Sequence, residues 1–290
     1  MTTCVKIPTF VEIEQKGMVL ALIYDFDGTL SPGNMQEYDF IPAIGKDNRE
    51  FWDNCNRVAE VNDADPILTY MNEMIRQATV SGVSLRREAF AESGRKVQLY
   101  EGVEGWFARI NRYGQSKGIR VEHYINSSGL REMIEGTSIA KHFRKIFASS
   151  FLYSVDGVAY WPGVAVNYTN KTQFIFKISK GIDSVYDSKA VNRYQPEEQR
   201  PVPFTHMIYI GDGTTDIPCM RLVKEKQGHA IAVYNPADRE VGHSLRQLVQ
   251  EHRVNFVAPA DYSPGSRLDE VVKAIVDKVA ADDRLKRLEL

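Results

Sequence analysis

The sequence has few cysteines, and none lies in a pattern that suggests a disulfide framework or a zinc site. Cys4, Cys55 and Cys219 are odd in number, far apart and outside any CxxC spacing. The six histidines form no HExxH pattern either. Isolated thiols of this kind are typical of a reducing compartment, so we expect a cytoplasmic protein.

Long apolar runs are also missing from the chain. The most apolar early stretch, residues 18–24, ends at Asp25 after seven residues. A membrane span needs about 20. Lys6, Glu12 and Lys16 lie where the apolar core of a secretory signal would be found. We therefore expect neither a signal peptide nor an association with a membrane.

Neither sign of charge is in excess, since 36 Lys and Arg face 38 Asp and Glu, for a net charge of -2. Binding to a phosphate backbone normally shows as a basic excess, so a nucleic-acid partner is not expected. A hydrophobic fraction of 43% is typical of a globular protein. The 290 residues suggest about two domains, or one domain with a large insertion.

Short apolar runs alternate with longer amphipathic stretches along most of the chain. We predict strands at residues 19–24, 119–125, 145–148, 207–210, 230–234 and 254–257. Most of these runs are followed by a helical pattern, such as the one carrying Val241 and Leu245 and the one carrying Leu268 and Val272. Strand and helix in alternation predict an α/β fold with a Rossmann-like parallel sheet and helices on both faces.

Residues 33–100 lack strand patterns and carry helical ones instead. One helix is expected behind Asp47, and a second behind Asp65 with Pro66 at its first position. Further along the chain, Asp156-Gly157 between β-forming residues predicts a hairpin. The polar residues 184–203 are expected to form a long surface loop, and the tail from residue 236 to extend the sheet.

Carboxylates follow two of the predicted strands. Asp25 and Asp27 lie in DFDGTL directly after the first run. Asp212 and Asp216 lie in GDGTTD directly after the fourth. Open α/β sheets bind ligands at the carboxyl ends of their strands, so the two clusters meet if these strands are neighbours. Gly28 permits the sharp turn that brings Asp25 and Asp27 into one site. Carboxylates without nearby His or Cys favour a hard cation, usually Mg²⁺ when a phosphate supplies further ligands.

A hydroxyl side chain follows the second predicted strand. Ser127 lies in Asn126-Ser127-Ser128-Gly129, which we expect to open a helix that carries Leu130 and Met133. A hydroxyl beside the first amides of a helix is a good anion site. Ser128 offers a second hydroxyl, and we favour Ser127 because it comes directly after the strand.

One lysine is expected to supply a fixed positive charge. Lys171 lies at the predicted start of the helix that carries Phe174. Lys177 and Lys180 on the same helix are alternatives for this role. We favour Lys171 because it alone lies at the helix start.

Taken in order, DFDGTL, the strand-end Ser127, Lys171 and GDGTTD resemble the motifs of the haloacid-dehalogenase-like hydrolase superfamily, over residues 18–235. Most members of that superfamily are Mg²⁺-dependent phosphatases. The resemblance implies a phosphomonoester hydrolase that acts on a small phosphorylated metabolite. It also implies a small all-helical cap domain at residues 33–100, inserted into a core domain of residues 1–32 and 101–290.

The resemblance assigns a role to each motif. Asp25 would be the nucleophile that forms an aspartyl-phosphate, and Asp27 the general acid and base. Ser127 and Lys171 would bind the phosphoryl oxygens. The Mg²⁺ ligands would be Asp25, the backbone carbonyl of Asp27, Asp212 and, as a ligand or an orienting group, Asp216.

Two other functions are compatible with the same motifs. A phosphotransferase or mutase would use the same core residues and pass the phosphoryl group to another alcohol. A non-catalytic phosphoryl-binding protein would have kept the fold alone, although the intact pair Asp25 and Asp27 argues against it. The identity of the metabolite and the oligomeric state do not follow from the sequence.

Overall fold

The computed structural model of the protein describes residues 18–238, 245 and 247–289. Its strands are β1 (Val19–Tyr24), β2 (Arg120–Leu130), β3 (Phe143–Tyr153), β4 (Ala159–Val164), β5 (Met207–Gly211), β6 (His229–Tyr234) and β7 (Phe256–Pro259). The helices used below are α1 (Phe40–Ala43), α2 (Asn48–Asn62), α3 (Pro66–Ser81), α4 (Arg87–Gly94), α5 (Val103–Ser116), α6 (Arg131–Gly136), α7 (Lys171–Lys180), α8 (Ser188–Asn192), α9 (Ile217–Glu225) and α10 (Arg267–Leu288).

Some predictions fall on residues outside this set. Residues 1–17, on which the expectation about a signal peptide rests, lie outside the described residues, and so does Cys4. Most residues at the beginning of the helix predicted around Val241 also lie outside the described residues. Within the described residues, no helix combines the length and the apolar composition that a bilayer span requires.

The strands form one sheet of order β4-β3-β2-β1-β5-β6-β7. Neighbouring strands are parallel except β3 and β4, which are antiparallel. The predicted α/β fold is confirmed, and β7 extends the sheet as expected. The chain builds the sheet outward in opposite directions from β1, with β2 on one side and β5 on the other. Ligands of open α/β sheets bind at such a switch point, beyond the carboxyl ends of the strands.

Strand β1 is buried on both faces, as its uninterrupted apolar sequence predicts. Leu20, Leu22 and Tyr24 pack into a core shared with α5 and α10. Ala21 and Ile23 point to the other face and pack into a core shared with α7 and α9. The alternation fixes the register of the strand, and with it the position of the motif that follows.

A chain of buried hydrogen bonds holds the last residue of β1. The Trp106 indole donates to the Tyr24 hydroxyl over 2.9 Å, and that hydroxyl lies 3.0 Å from Nδ1 of His123. Burial lowers the pKa of His123 to about 3, so the ring is neutral. Its single proton then belongs on Nε2, which lies 2.9 Å from the Asn111 side-chain oxygen. Every polar atom in this series of hydrogen bonds has a partner. The series therefore fixes the position of Tyr24, the residue before Asp25.

The end of β2 differs from the prediction. Leu130 is the last residue of β2, and α6 begins only at Arg131. The helix expected after residues 126–129 is present and carries Met133, but it begins after Leu130, so the expectation that Ser127 lies at its start is wrong. The reason is non-local, because β3 continues to pair with this segment at Ser127 and again at Leu130, with an irregularity between them. Extended pairing thus overrides the local helical pattern.

The other local predictions agree with the structure in most cases. Asp47 caps α2 by accepting from the backbone N–H of Arg49, and Asp65 caps α3 by accepting from that of Ile67. β3 and β4 form the predicted hairpin around Gly157, whose φ is 76°. Strand β7 begins two residues later than predicted, and the loop at 184–203 contains the short α8.

Helices α4 and α6 pack with their backbones in direct contact. A Cβ added at Gly94 would lie 1.9 Å from the carbonyl oxygen of Met133. A Cβ added at Gly136 would lie 1.9 Å from the carbonyl oxygen of Ala91. Only glycine fits at either position. This contact joins the last helix of the segment at 33–100 to a helix that follows β2.

We expect Gly94→Ala to destabilise the protein by about 1–3 kcal/mol, because the new methyl group forces the two backbones apart. Gly105→Ala in α5 is the matched control, since its nearest neighbour would be an arginine nitrogen 3.8 Å away. That substitution should leave stability unchanged or raise it by about 0.5–1 kcal/mol. Urea unfolding of the two variants measures the difference. Equal midpoints would contradict the close contact.

Candidate active site

The two carboxylate motifs meet at the carboxyl ends of β1 and β5. The backbone N–H of Asp25 donates to the carbonyl of Ile210 over 3.0 Å, so the ladder between the strands continues into the first motif. Gly28 has a φ of 72°, and a Cβ there would lie 2.0 Å from a carboxylate oxygen of Asp212. Both the turn and the approach require glycine. The sharp turn expected at Gly28 is present and brings the two loops together.

Lys171 lies at the centre of this cluster. Its ammonium group is fully buried and donates to Asp25 over 2.8 Å and to Asp216 over 2.6 Å. Burial disfavours the charged form, but the Asp216 and Asp25 carboxylates outweigh it and raise the pKa of Lys171. The alternatives are placed elsewhere, because Lys177 and Lys180 donate to backbone carbonyls of the 184–193 segment.

Three carboxylates cluster at the site. Asp25, Asp212 and Asp216 each offer an oxygen, and these oxygens lie within 4.8 Å of one another. Burial and the neighbouring Asp25 raise the pKa of Asp212 to about 8 and also raise that of Asp216. One oxygen of Asp216 is buried and has no hydrogen-bond partner among the described residues. An all-oxygen donor set with excess negative charge and an unpartnered carboxylate oxygen fits a hard divalent cation.

The Asp27 side chain lies apart from this cluster. One of its oxygens accepts a hydrogen bond of 2.9 Å from the backbone N–H of Met35. A Cβ at Gly129 would lie 2.9 Å from the other oxygen. Burial, followed by the charge of Asp25, raises the pKa of Asp27 well above its usual value. A carboxyl group in this environment favours its protonated form, in which it can donate a proton.

Ser127 reaches the site from β2. Its side chain is fully buried, and its hydroxyl oxygen accepts a hydrogen bond of 3.1 Å from the backbone N–H of Gly129. Gly129 in turn abuts Asp27, which places this segment beside the first motif. The hydroxyl of Ser128 is buried and finds no partner in the part of the chain that the structure describes, while the Ser128 carbonyl accepts from the Tyr70 hydroxyl. Ser127 does not lie at the start of a helix, because residues 126–129 are part of strand β2.

Two residues that hold the charged groups were not among the predicted site residues. The Tyr209 hydroxyl donates to Asp216 over 2.7 Å, and the Asn126 side chain donates to the backbone carbonyl of Lys171 over 3.1 Å. Asn126 carried a signal, because an amide at the end of an apolar strand needs a partner when it is buried. Tyr209 carried none, since a tyrosine inside a buried strand resembles an ordinary core residue.

Comparison with known proteins gives relatives over most of the chain. The chain is 29% identical over 289 residues to an uncharacterized protein of Borreliella burgdorferi, with 88% of this chain and 96% of that protein covered. A probable phosphoserine phosphatase from Vibrio cholerae in its unliganded form has a TM-score of 0.55 at 12% identity, covering 92% of this chain and 67% of that chain.

Two further solved structures have the same fold. A substrate-bound phosphoserine phosphatase complex has a TM-score of 0.53 at 14% identity, covering 90% of this chain and 99% of that one. Cytosolic 5′-nucleotidase IIIB bound to cytidine has a TM-score of 0.52 at 14% identity, covering 92% and 87%. At these identities the likeness concerns the fold.

The region of the chain that contains the site matches a known protein family. Residues 22–221, more than half of the chain, match the family described as haloacid dehalogenase-like hydrolase. The matched region runs from β1 into α9 and includes both carboxylate motifs, Ser127 and Lys171. The chain belongs to the haloacid dehalogenase-like hydrolases.

Proposed function

We propose that the protein is a Mg²⁺-dependent phosphatase that hydrolyses the phosphomonoester of a small metabolite through an aspartyl-phosphate on Asp25. The observation that carries this proposal is the buried ammonium group of Lys171 between Asp25 and Asp216. It lies at the sheet's switch point, beyond the carboxyl ends of β1 and β5. Proteins of the same fold include a phosphoserine phosphatase and a 5′-nucleotidase, which favours a phosphorylated substrate.

Asp25 is suited to act as the nucleophile. Lys171 holds one of its oxygens, and the backbone N–H of Phe26 donates to the other over 2.7 Å. These bonds fix the orientation of the carboxylate. An oxygen of Asp25 attacks phosphorus, the bond from phosphorus to the leaving oxygen breaks, and an aspartyl-phosphate forms.

Asp27 is suited to move the proton in both steps. In the first step its carboxyl group donates a proton to the leaving oxygen. In the second, its carboxylate takes a proton from the water that attacks phosphorus. Inorganic phosphate leaves, and Asp25 is restored as a carboxylate. The contact with the Met35 N–H holds Asp27 away from the carboxylate cluster and leaves it free for this role.

Ser127 and Lys171 would bind the phosphoryl oxygens during both steps. Lys171 offers a fixed positive charge, and Ser127 a hydroxyl hydrogen. Mg²⁺ would be held by Asp25, the backbone carbonyl of Asp27, Asp212 and Asp216. When bound, it would supply positive charge that offsets the carboxylates and the phosphoryl group.

The helical segment at residues 33–100 forms the cap in this proposal, and residues 1–32 with 101–290 form the core. Helix α3 of this segment reaches the site directly, since Tyr70 contacts Ser128 and Asp65 contacts Asn167. We place the reaction in the cytoplasm, because Cys55 and Cys219 are buried free thiols.

Replacing the nucleophile should abolish turnover. Asp25→Asn should lower kcat by about a thousand-fold or more, because an amide is not a competent nucleophile. Asp156→Asn, in the exposed β3–β4 turn, is the control and should keep full activity. Circular dichroism checks that both variants fold. Hydrolysis by Asp25→Asn at a near-normal rate would overturn the assignment.

Phosphate release should depend on Mg²⁺. With a series of phosphorylated metabolites, excess chelator should stop release, and added Mg²⁺ should restore it. Ca²⁺ should not replace it, because its larger and looser coordination suits this compact site poorly. Full activity in chelator would rule out the proposed metal. A new phosphoester in place of free phosphate, when an alcohol is present, would indicate a phosphotransferase.

The effect of Asp27→Asn should depend on the leaving group. An aryl phosphate leaves as a stable phenolate and barely needs a proton, whereas an alkyl phosphate leaves as a basic alkoxide. Formation of the aspartyl-phosphate should therefore slow more with alkyl than with aryl substrates. Its breakdown should slow with both, because the general base is lost.

Single-turnover measurements of burst and decay separate these two steps. Trapped phosphoenzyme should accumulate most readily from the aryl ester. Equal slowing of the first step for both ester types, with no accumulation, would show that Asp27 holds the metal or the fold and that another group moves the proton.

A further inference from the structure

Helix α3 contacts both segments that carry the proposed phosphoryl-binding side chains. Near its start, the Tyr70 hydroxyl donates to the backbone carbonyl of Ser128 over 2.7 Å. At its N-cap, Asp65 accepts from the side-chain amide of Asn167 over 2.5 Å. One contact is therefore made next to Ser127, and the other four residues before Lys171.

The Tyr70 contact fixes one peptide unit of β2. Ser128 and Gly129 lie in the irregularity between β2 and β3, and the Ser128 carbonyl bonds to Tyr70 of α3. In a planar trans peptide the carbonyl and the following N–H point in opposite directions. Holding the Ser128 carbonyl toward α3 therefore directs the Gly129 N–H to the opposite side, where it donates to the Ser127 hydroxyl oxygen over 3.1 Å.

That bond has a consequence for the hydroxyl group itself. A serine hydroxyl has one hydrogen to donate and two lone pairs that accept. With one lone pair engaged by the Gly129 N–H, the hydroxyl of Ser127 is oriented, and its hydrogen stays available for an oxygen of a bound phosphoryl group. Tyr70 thus acts on Ser127 through the intervening peptide.

The Asp65 contact holds the turn that begins α7. Asn167 is the centre of that turn, because its side-chain oxygen accepts from the backbone N–H groups of Thr169 and Asn170 over 3.0 Å each. Its own carbonyl accepts from the backbone N–H of Lys171 over 2.9 Å. The second oxygen of Asp65 is bonded to this side chain, while its first oxygen caps α3.

We propose that Tyr70 and Asp65 on α3 are positioning residues for phosphoryl binding, Tyr70 through the Ser128–Gly129 peptide and Ser127, and Asp65 through Asn167 and the turn before Lys171. The inference rests on the proposed phosphatase function. Neither residue touches the phosphoryl group. Each fixes the segment from which a binding group is presented, so α3 and the anion site depend on each other.

The first test is Tyr70→Phe, which removes one hydroxyl and keeps the ring. With Mg²⁺ present, the inhibition constant for inorganic phosphate and the KM should each rise about ten-fold. Tyr124→Phe is the matched control, because Tyr124 is also buried and its hydroxyl donates to Glu122 over 2.6 Å, toward the amino end of β2. It should leave phosphate inhibition unchanged. Equal effects of the two substitutions would overturn the proposal.

A double-mutant cycle separates positioning from a general loss of structure. In a Ser127→Ala background, Tyr70→Phe should change phosphate inhibition by less than about two-fold, because the group on which it acts is gone. A purely structural role would give the same ten-fold effect in both backgrounds. Additive effects would therefore refute the action through Ser127.

An exchange of residues tests the second contact, and it remains available if Tyr70→Phe does not fold. Asp65→Asn and Asn167→Asp each place like groups opposite one another and should weaken phosphate inhibition. Each also retains the oxygen that caps α3 or holds the turn. The double variant restores one donor and one acceptor and should recover phosphate inhibition to within about two-fold of the original. Failure of the double variant to recover would refute this contact's role.

Measurements on the unsubstituted protein show whether a failure concerns the positioning role or the proposed function. If it neither hydrolyses any phosphomonoester nor binds inorganic phosphate with Mg²⁺ present, the proposed function fails and the inference with it. If it does both, and the variants behave additively or like their controls, only the positioning role fails.

Discussion

The burial of one ammonium group between carboxylates is the constraint on which the rest of the site depends. Buried charges are tolerated only when they are paired, and Lys171 pairs with both Asp25 and Asp216. These three residues come from α7, from the end of β1 and from the loop after β5. The switch point of the sheet therefore brings the chemistry together, and the charges in turn hold three separate parts of the chain in register.

The parts that the sequence predicts well are those in which a local pattern and a buried strand coincide. Asp25 and Asp212 follow strands whose apolar runs are unambiguous, and a parallel sheet aligns the ends of such strands. Lys171 could be chosen over Lys177 only by its position at a helix start. The structure shows the physical basis of that choice, because Lys171 alone of the two reaches the carboxylates.

The parts that the sequence does not predict depend on pairing between distant segments. The end of β2 is extended because β3 continues beside it, and the sequence of residues 126–130 gives no indication of this pairing. Tyr70 sits among the apolar residues of α3, where its ring packs against Trp52 with centroids 5.8 Å apart. Its hydroxyl finds the Ser128 carbonyl only in three dimensions, so the sequence shows a core residue and hides its polar contact.

The glycine contact between α4 and α6 divides the helical segment into two parts with different freedom. Gly94 and Gly136 leave no gap between the two backbones, so α4 is held closely against α6. Helix α3 contacts the motif loops through side chains instead. Breaking such side-chain hydrogen bonds costs less free energy than separating two packed backbones.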